Sequence, residues 1–187
     1  MRHVLAFGRA ARAFGRVLPA AWMMMALSVA FWSASCAPPE PKAVLKTSDV
    51  ETYWILDPSR TSKRYLAPAI RFTVENISPE TLISVEATGG FLLEGKGEPW
   101  GSGSFRLTEG RKRMAPGEKI VVSISSDARY TLEGDPEAAF ANPKFQWVEA
   151  KYFLKVGSSV WVEFGKTKVE NVLGSKEARA VNQAPRS

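Results

Sequence analysis

The hydrophobic and polar residues of the chain alternate in several short runs. In the run 69–75 (AIRFTVE) the isoleucine, phenylalanine and valine share one side, which predicts a strand with one buried face. Turn signals at 76–79 (NISP) and 115–118 (APGE) separate such runs. Only 136–140, preceded by Asp135 as a cap, predicts a helical turn. Further strands are predicted at 53–56, 82–87, 91–93, 105–107 and 119–125.

The last part of the chain predicts a hairpin, with strands at 145–156 and 160–172 around Gly157-Ser158-Ser159. A three-residue loop pairs Val156 with Val160, Leu154 with Val162, and Tyr152 with Phe164. The predicted core face holds Val148, Ala150, Tyr152, Leu154, Val160, Val162 and Phe164. The opposite face holds Trp147, Lys151, Lys155 and Trp161, and a cation–π contact is expected between Lys155 and Trp161.

These strands predict an all-β fold, a single antiparallel β-sandwich over residues 50–173, followed by a disordered polar tail at 174–187. The stretch IRFTVENISPETLISVEATGGF, followed by MAPGEKIVVSIS, resembles immunoglobulin-like domains of bacterial surface lipoproteins, including the FxLYD type. The resemblance covers about residues 68–126. It implies an immunoglobulin-like sandwich and brings no catalytic residues with it.

A glycine-rich segment at 95–104 (GKGEPWGSGS) interrupts the strand pattern. It lacks the Gly-Lys-Ser/Thr ending of a phosphate-binding loop, and no strand-to-helix context surrounds it. The segment is therefore expected to be a surface loop anchored by Trp100.

The first 35 residues have the order of a secretory signal: a basic region at 1–16, an apolar region at 17–32 and small residues at 33–35. Three outcomes are open. The segment resembles a bacterial lipoprotein signal, which implies that Cys36 is lipidated and becomes the N-terminus, although Ser33 stands where an apolar residue is expected. Alternatively, a signal peptidase cuts after Ser35 or Ala30, or residues 17–37 stay as a spanning helix.

Cys36 is the only cysteine, and prolines at 38, 39 and 41 follow it. These prolines disfavour a buried thiol in a packed element, so an attachment point is the preferred interpretation. Residues 36–49 are then a lipidated, proline-rich tether. Each outcome places the sandwich outside the cytoplasm. Ala37 after the cysteine, rather than aspartate, favours the outer membrane over the inner one and a periplasmic orientation.

The net charge and the scarcity of histidine narrow the range of functions that the sequence predicts. The net charge is +6, but four of the 25 basic residues and none of the 19 acidic ones lie in residues 1–35. The rest of the chain is therefore nearly neutral and predicts no nucleic-acid partner. His3 is the only histidine, which excludes Ser-His-Asp or Cys-His catalysis and a histidine zinc site in the sandwich. No cofactor, metal or enzymatic activity is expected.

Two groups of residues remain as candidates for a site. Four acids near loops offer oxygen ligands, but their spacing matches no calcium loop. They are Asp127, Glu133, Asp135 and Glu137. Of the tryptophans at 54, 100, 147 and 161, most are expected in the core. The preferred function is a non-enzymatic envelope lipoprotein that binds or scaffolds an envelope protein. The alternative is a carbohydrate- or peptide-binding module that uses an exposed face with Trp147, Lys155 and Trp161.

Overall fold

The computed structural model describes residues 38–57, 64–110, 112–132 and 134–174. The predicted signal at 1–35, Cys36 and residues 175–187 of the predicted tail lie outside them. Among the described residues, no helix is long and apolar enough to cross a bilayer.

The described residues form eight strands and two short helices. In chain order they are α1 Pro41–Val44, β1 Leu45–Asp57, β2 Arg64–Asn76, β3 Val85–Leu93, β4 Pro99–Arg106, β5 Lys119–Ser125, β6 Tyr130–Leu132, α2 Pro136–Phe140, β7 Val148–Val156 and β8 Val162–Lys168. The predicted strand at 119–125 and the predicted helical turn at 136–140 are both confirmed.

The strands form two antiparallel sheets. Sheet one has the order β1-β2-β5, with β6 also paired to β2, and sheet two has the order β4-β3-β7-β8. The orders β1-β2-β5 and β3-β7-β8 correspond to strands A-B-E and C-F-G of immunoglobulin-like sandwiches. The predicted antiparallel β-sandwich is confirmed.

The core lies between the two sheets. The isoleucine, phenylalanine and valine of the run 69–75 are completely buried, while the residues between them are only partly covered, as the alternation predicts. The ring of Phe72 in β2 lies 4.6 Å from the ring of Tyr152 in β7, which joins the two sheets at their centre. Burial of such side chains is the main source of stability in a sandwich that has no disulfide.

The sandwich begins earlier than the sequence predicts. Pro41 stands at the first position of α1, where a proline is well tolerated. β1 begins at Leu45, whose side chain is only 2% exposed. Residues 45–49, which the sequence assigns to the tether, are therefore the start of β1, because Leu45 belongs to the core.

The glycine-rich segment is not the predicted loop, because β4 begins at Pro99. A side chain at Gly101 would overlap Ser126 Oγ, and one at Gly103 would overlap the carbonyl oxygen of Ser125. The glycines let β4 of sheet two approach the end of β5 in sheet one. Ser102 N–H donates to the Asp127 carboxylate (2.7 Å) and Asp127 N–H donates to the Ser102 carbonyl (3.0 Å), which closes this side of the sandwich.

The predicted separation of 82–87 from 91–93 is also wrong, because β3 runs without a break through both glycines at 89 and 90. A Cβ at Gly89 would lie 3.2 Å from Ile124 Cγ2, so this glycine also marks a place where the sheets are close.

The terminal hairpin has the predicted strands but a different register. Leu154 pairs with Val162 as predicted, whereas Tyr152 pairs with Gly165 instead of Phe164 because the register shifts beyond Phe153. A Cβ at Gly165 would come within 2.7 Å of the Tyr152 ring, so the ring needs a glycine opposite it.

The predicted core face is correct for Val148, Ala150, Tyr152 and Leu154, which are buried. It is wrong for Val160, which is 77% exposed, and Val162 and Phe164 are only half-buried. β8 begins at Val162, so Val160 lies in the turn before the strand.

The two ends of the sandwich are built differently. We call the end with α1 and the connections 77–84, 107–118 and 157–161 the proximal end. Backbone hydrogen bonds join these segments, from Ile77 N–H to Val44 O (2.9 Å) and from Gly157 N–H to Ser84 O (3.0 Å). The buried Asn76 amide donates to the Met114 carbonyl at 3.0 Å. We call the opposite end, with the segments 94–98, 126–147 and 169–174, the distal end.

Because β4 lies so close to β5, one methyl group added to a glycine of β4 is expected to lower the stability of the protein. We expect Gly103→Ala to lower the free energy of unfolding by about 1–3 kcal/mol, because the new Cβ must displace backbone of β5. Gly90→Ala is the matched control, since a Cβ at that position in β3 meets no atom within 4 Å. Urea unfolding of both variants measures the difference, and equal stabilities would contradict the glycine requirement.

Candidate functional site

The outer face of sheet two carries a row of lysine–glutamate ion pairs. Side chains of β7 alternate, so that Glu149, Lys151, Phe153 and Lys155 point away from the core. Each lysine on this face pairs with a glutamate of a neighbouring strand or its end. The pairs are Lys151–Glu163 (3.4 Å), Lys155–Glu86 (3.3 Å), Lys166–Glu149 (2.7 Å) and Lys168–Glu94 (2.9 Å).

Trp161 and Trp147 lie at opposite ends of this face. Lys155 Nζ lies 4.9 Å from the centre of the Trp161 ring, which is the contact predicted from the sequence. Lys168 Nζ lies 4.0 Å from the centre of the Trp147 ring. Trp147 and Lys155 are eight positions apart along the direction of β7, about 27 Å. The structure therefore brings Lys155 and Trp161 together but leaves Trp147 at the distal end.

Both exposed tryptophans are covered by a lysine. Trp147 is 41% exposed and Trp161 is 42% exposed, whereas Trp54 is completely buried and Trp100 is partly buried. A ligand that stacks on either exposed ring must first move a lysine that is also paired with a glutamate. Exposed ion pairs of this kind contribute little stability each, so the cost of moving one lysine is small.

The distal end contains a cluster of aromatic rings that the sequence does not reveal. The Trp54 ring lies 5.1 Å from Phe145 and 5.8 Å from Tyr130, and it also contacts Phe140 (6.1 Å) and Trp100 (6.4 Å). These five residues come from β1, β4, β6, α2 and the segment before β7. Because they are scattered along the chain, no local motif marks them.

A cavity of about 540 Å³ opens beside this aromatic cluster. Tyr130 and Phe145 line it on the side of the cluster, and Ala138 of α2 lines another wall. Asp135, Asn142 and Lys144 add a carboxylate, an amide and an ammonium group. An apolar wall with a few polar groups is the usual composition of a small-ligand site, and the volume lies within the usual range.

Two polar groups belong to the aromatic cluster, the Tyr130 hydroxyl and the Trp54 indole N–H. The Tyr130 hydroxyl donates to the Gln146 carbonyl (3.3 Å), and burial raises the pKa of Tyr130 above its usual value. Trp54 Nε1 is buried and has no oxygen or nitrogen partner among the described residues. The rings of Trp100, Tyr130, Phe140 and Phe145 lie around this indole.

Two of the four acids considered in the sequence analysis have described side chains. Asp127 closes β4 onto sheet one, and Asp135 lines the distal cavity. Glu133 and the Glu137 side chain lie outside the described residues. Within the described part of the chain, no group of three or more histidine, cysteine, aspartate or glutamate residues is placed to hold a metal ion.

A second cavity of about 630 Å³ lies at the proximal end. Its lining includes the cations Lys112 and Arg113 together with Ile83 and Ser84. Arg111, the first residue of the basic run in the sequence, lies outside the described residues. This cavity differs from the distal one because it joins positive charge to an exposed aliphatic side chain.

Comparison with known proteins finds distant similarities among solved structures. No protein-family model matches the chain, and no curated protein matches it. A structural-genomics target solved by X-ray crystallography has 10% identity and a TM-score of 0.40, and the match covers 71% of this chain and 90% of that one. A β-glucuronidase from glycoside hydrolase family 2 has 10% identity and a TM-score of 0.40 over 65% of this chain.

The match covers only 11% of the glucuronidase chain. A structural-genomics target from Bordetella pertussis has 15% identity and a TM-score of 0.31 over 68% of this chain and 93% of that one. These β-rich neighbours are distant, and nothing about activity or ligands is carried over from them.

Asp127 predicts a pH effect on stability. The Ser102 N–H hydrogen bond holds the pKa of the Asp127 carboxyl below its usual value of 3.8. Its contribution is therefore present above the pKa of the unfolded chain and is lost as the pH falls through the lower folded pKa, between about pH 5 and pH 2. We expect the free energy of unfolding to fall more in this range for the native chain than for Asp127→Asn.

The asparagine is a matched control because its side-chain oxygen accepts the same hydrogen bond without titrating. Urea unfolding at a series of pH values measures both proteins. Parallel curves would show that Asp127 contributes nothing to the acid sensitivity.

Proposed function

We propose that the chain is a membrane-anchored, non-enzymatic envelope protein whose sandwich binds another envelope component. The observation that carries this proposal is the distal cavity, which has an aromatic wall and three polar groups at its sides. It lies at the end of the sandwich away from α1, where the chain enters the fold. A domain anchored by its N-terminus would therefore hold this cavity toward the periplasm.

The anchoring part of the proposal rests on Cys36. The cysteine follows a basic region, an apolar region and three small residues, in the order of a lipoprotein signal. Two or more acyl chains on one cysteine give stable attachment to a membrane. The strand order is that of a β-sandwich. On the resemblance of the sequence to surface lipoproteins, we propose the same kind of attachment, with the outer membrane as the preferred location.

The binding part of the proposal rests on the walls of the distal cavity. Tyr130 and Phe145 offer flat apolar surfaces, and the Lys144 ammonium and Asn142 amide add hydrogen-bond donors. This composition suits a small ring-shaped group, or one side chain of a protein partner, with polar substituents at its edge. The outer face of sheet two has less support as a carbohydrate or peptide site, because Trp147 and Trp161 lie at opposite ends of this face and Trp147 is about 27 Å along β7 from Lys155.

A catalytic function has less support than binding. The sequence after Cys36 contains neither histidine nor cysteine, so the common nucleophile–base pairs have no residues in the sandwich.

Lipidation of Cys36 is tested by metabolic labelling. Cells that express the full chain are grown with a fatty-acid analogue, and we expect the native protein to carry the label and Cys36→Ala to lose it. Ser35→Ala is the control, because it keeps the thiol and a small residue before it. Label on the alanine variant, or none on the native protein, would contradict lipidation at Cys36.

Ligand binding is tested by filling the distal cavity from an exposed position. Ala138 is exposed on α2 and lines the cavity, so Ala138→Trp places an indole in the opening without removing a core contact. We expect it to weaken binding of an envelope component at least about tenfold, or about 1.4 kcal/mol. The measurement is capture from detergent-solubilised envelopes, followed by titration of the captured component.

The control is Ala141→Trp, because Ala141 is also exposed and follows α2 but does not line the cavity. We expect this variant to bind like the native protein. A component that binds all three proteins equally would show that the distal cavity is not its site.

A further inference from the structure

Exposed apolar side chains are concentrated at the proximal end. In the connections there, Ile77 is 49% exposed, Ile83 is 55% exposed, and Val160 and Trp161 are 77% and 42% exposed. Phe105, near the end of β4 on the same side, is 37% exposed. The described part of the distal end exposes one large apolar side chain to this degree, Trp147. Apolar groups gathered at one end of a small domain mark a contact surface.

These side chains are held in fixed positions relative to one another. Ile77 N–H donates to Val44 O, and Gly157 N–H donates to Ser84 O beside Ile83 (3.0 Å). Leu82 and Met114 exchange two backbone hydrogen bonds of 2.9 Å, which fixes the connection that carries the basic residues. The connections that carry the exposed residues are therefore tied together, and we call these residues the proximal surface: Ile77, Ile83, Val160 and Trp161.

Positive charges lie beside this surface. Lys112 and Arg113 line the proximal cavity together with Ile83, and neither has an ion-pair partner among the described residues. Lys155 Nζ lies over the Trp161 ring and is also paired with Glu86 at 3.3 Å. Tryptophan with a neighbouring lysine is typical of the boundary between lipid headgroups and acyl chains. The exposed acids Glu80 and Glu109 are also at this end, so the apolar contacts and not the net charge must dominate.

The chain between Cys36 and β1 is short. Five residue steps from Cys36 to Pro41 span at most about 18 Å when extended, and the four steps of α1 add about 6 Å. The 13 residues of β1 extend about 40 Å from the proximal toward the distal end. An anchor at Cys36 therefore keeps the proximal end close to the bilayer, whereas the tip of the distal end lies beyond the reach of this segment.

From these observations we infer that the proximal surface docks on the lipid bilayer that holds the anchor. The inference rests on the proposed attachment through Cys36. Ile83, Val160 and Trp161 enter the headgroup region, and Lys112 and Arg113 contact lipid phosphates. A short tether gives the surface a high effective concentration at the bilayer, so modest apolar contacts are enough to orient the domain.

The tryptophans allow a direct test. The chain from residue 36 to 187 contains the whole described core and four tryptophans, of which Trp161 alone lies at the proximal end. Its single cysteine is coupled to a maleimide lipid in phosphatidylcholine vesicles whose acyl chains are brominated, because bromine quenches tryptophan fluorescence at short range. We expect quenching in the native protein, the loss of most of it in Trp161→Phe, and its retention in Trp147→Phe.

Trp147→Phe is the matched control, since Trp147 is equally exposed and also covered by a lysine but lies at the distal end. Urea unfolding of both variants checks that the fold is intact. Three results would overturn the inference: no quenching in the native protein, quenching lost in Trp147→Phe but kept in Trp161→Phe, or a dimer of the uncoupled protein that Trp161→Phe abolishes. The last result would assign the surface to a second copy of the chain.

Chemical coupling imposes the attachment, so this experiment is independent of processing in cells. Quenching through Trp161 without fatty-acid label in cells would contradict the lipidation of Cys36 and leave a surface suited to bilayers. Label in cells without quenching would support the anchor and overturn the docking of the proximal surface.

Discussion

The burial of Trp54 is the interaction on which the arrangement of the two sheets and the distal end depends. Its ring contacts rings from β4, β6, α2 and the segment before β7. Its backbone N–H donates to Val172 O (2.8 Å), and its carbonyl accepts from Gly174 N–H (2.9 Å). One residue of β1 thus joins sheet one to the edge of sheet two, to the irregular segment between β6 and β7, and to the end of the described chain.

The contrast between the two ends follows from how each is held together. At the distal end, large rings pack at an angle to one another and leave an aromatic wall that faces the cavity. At the proximal end, backbone hydrogen bonds and the buried Asn76 amide fix the connections, and buried Leu82, Leu107 and Met114 hold them against the core. The isoleucines and the valine of these connections point outward and are left exposed.

The sequence predicts what depends on local alternation. Burial of alternate residues in β2 and the contact between Lys155 and Trp161 both follow from a period of two and a hairpin with a short turn. The boundary at residue 50 could not be placed correctly, because the burial of Leu45 depends on strands that follow it in the chain. The shifted register at Gly165 depends on the volume of the Tyr152 ring, which a pattern of hydrophobic and polar letters does not express.

The distal cavity could not be predicted from the sequence either, because its walls come from distant parts of the chain. Its wall needs Tyr130 and Phe145 beside Trp54, and these residues meet only after both sheets have formed. The sequence predicts a loop at the glycines of β4 for the same reason. These glycines leave room for the backbone of the other sheet, which the sequence pattern does not show. At the glycines of β4 and at the distal cavity, sequence reasoning misses positions where one sheet contacts the other.

The length of β1 joins the two proposals into one geometry. A domain that rests on the bilayer by its proximal surface holds the distal cavity about 40 Å from the anchor, outside the headgroup layer. A domain attached by its tether alone would turn freely, and its cavity would spend part of the time facing lipid. Docking through the exposed apolar residues would therefore orient the domain, so that the distal cavity stays accessible to partners from the aqueous side.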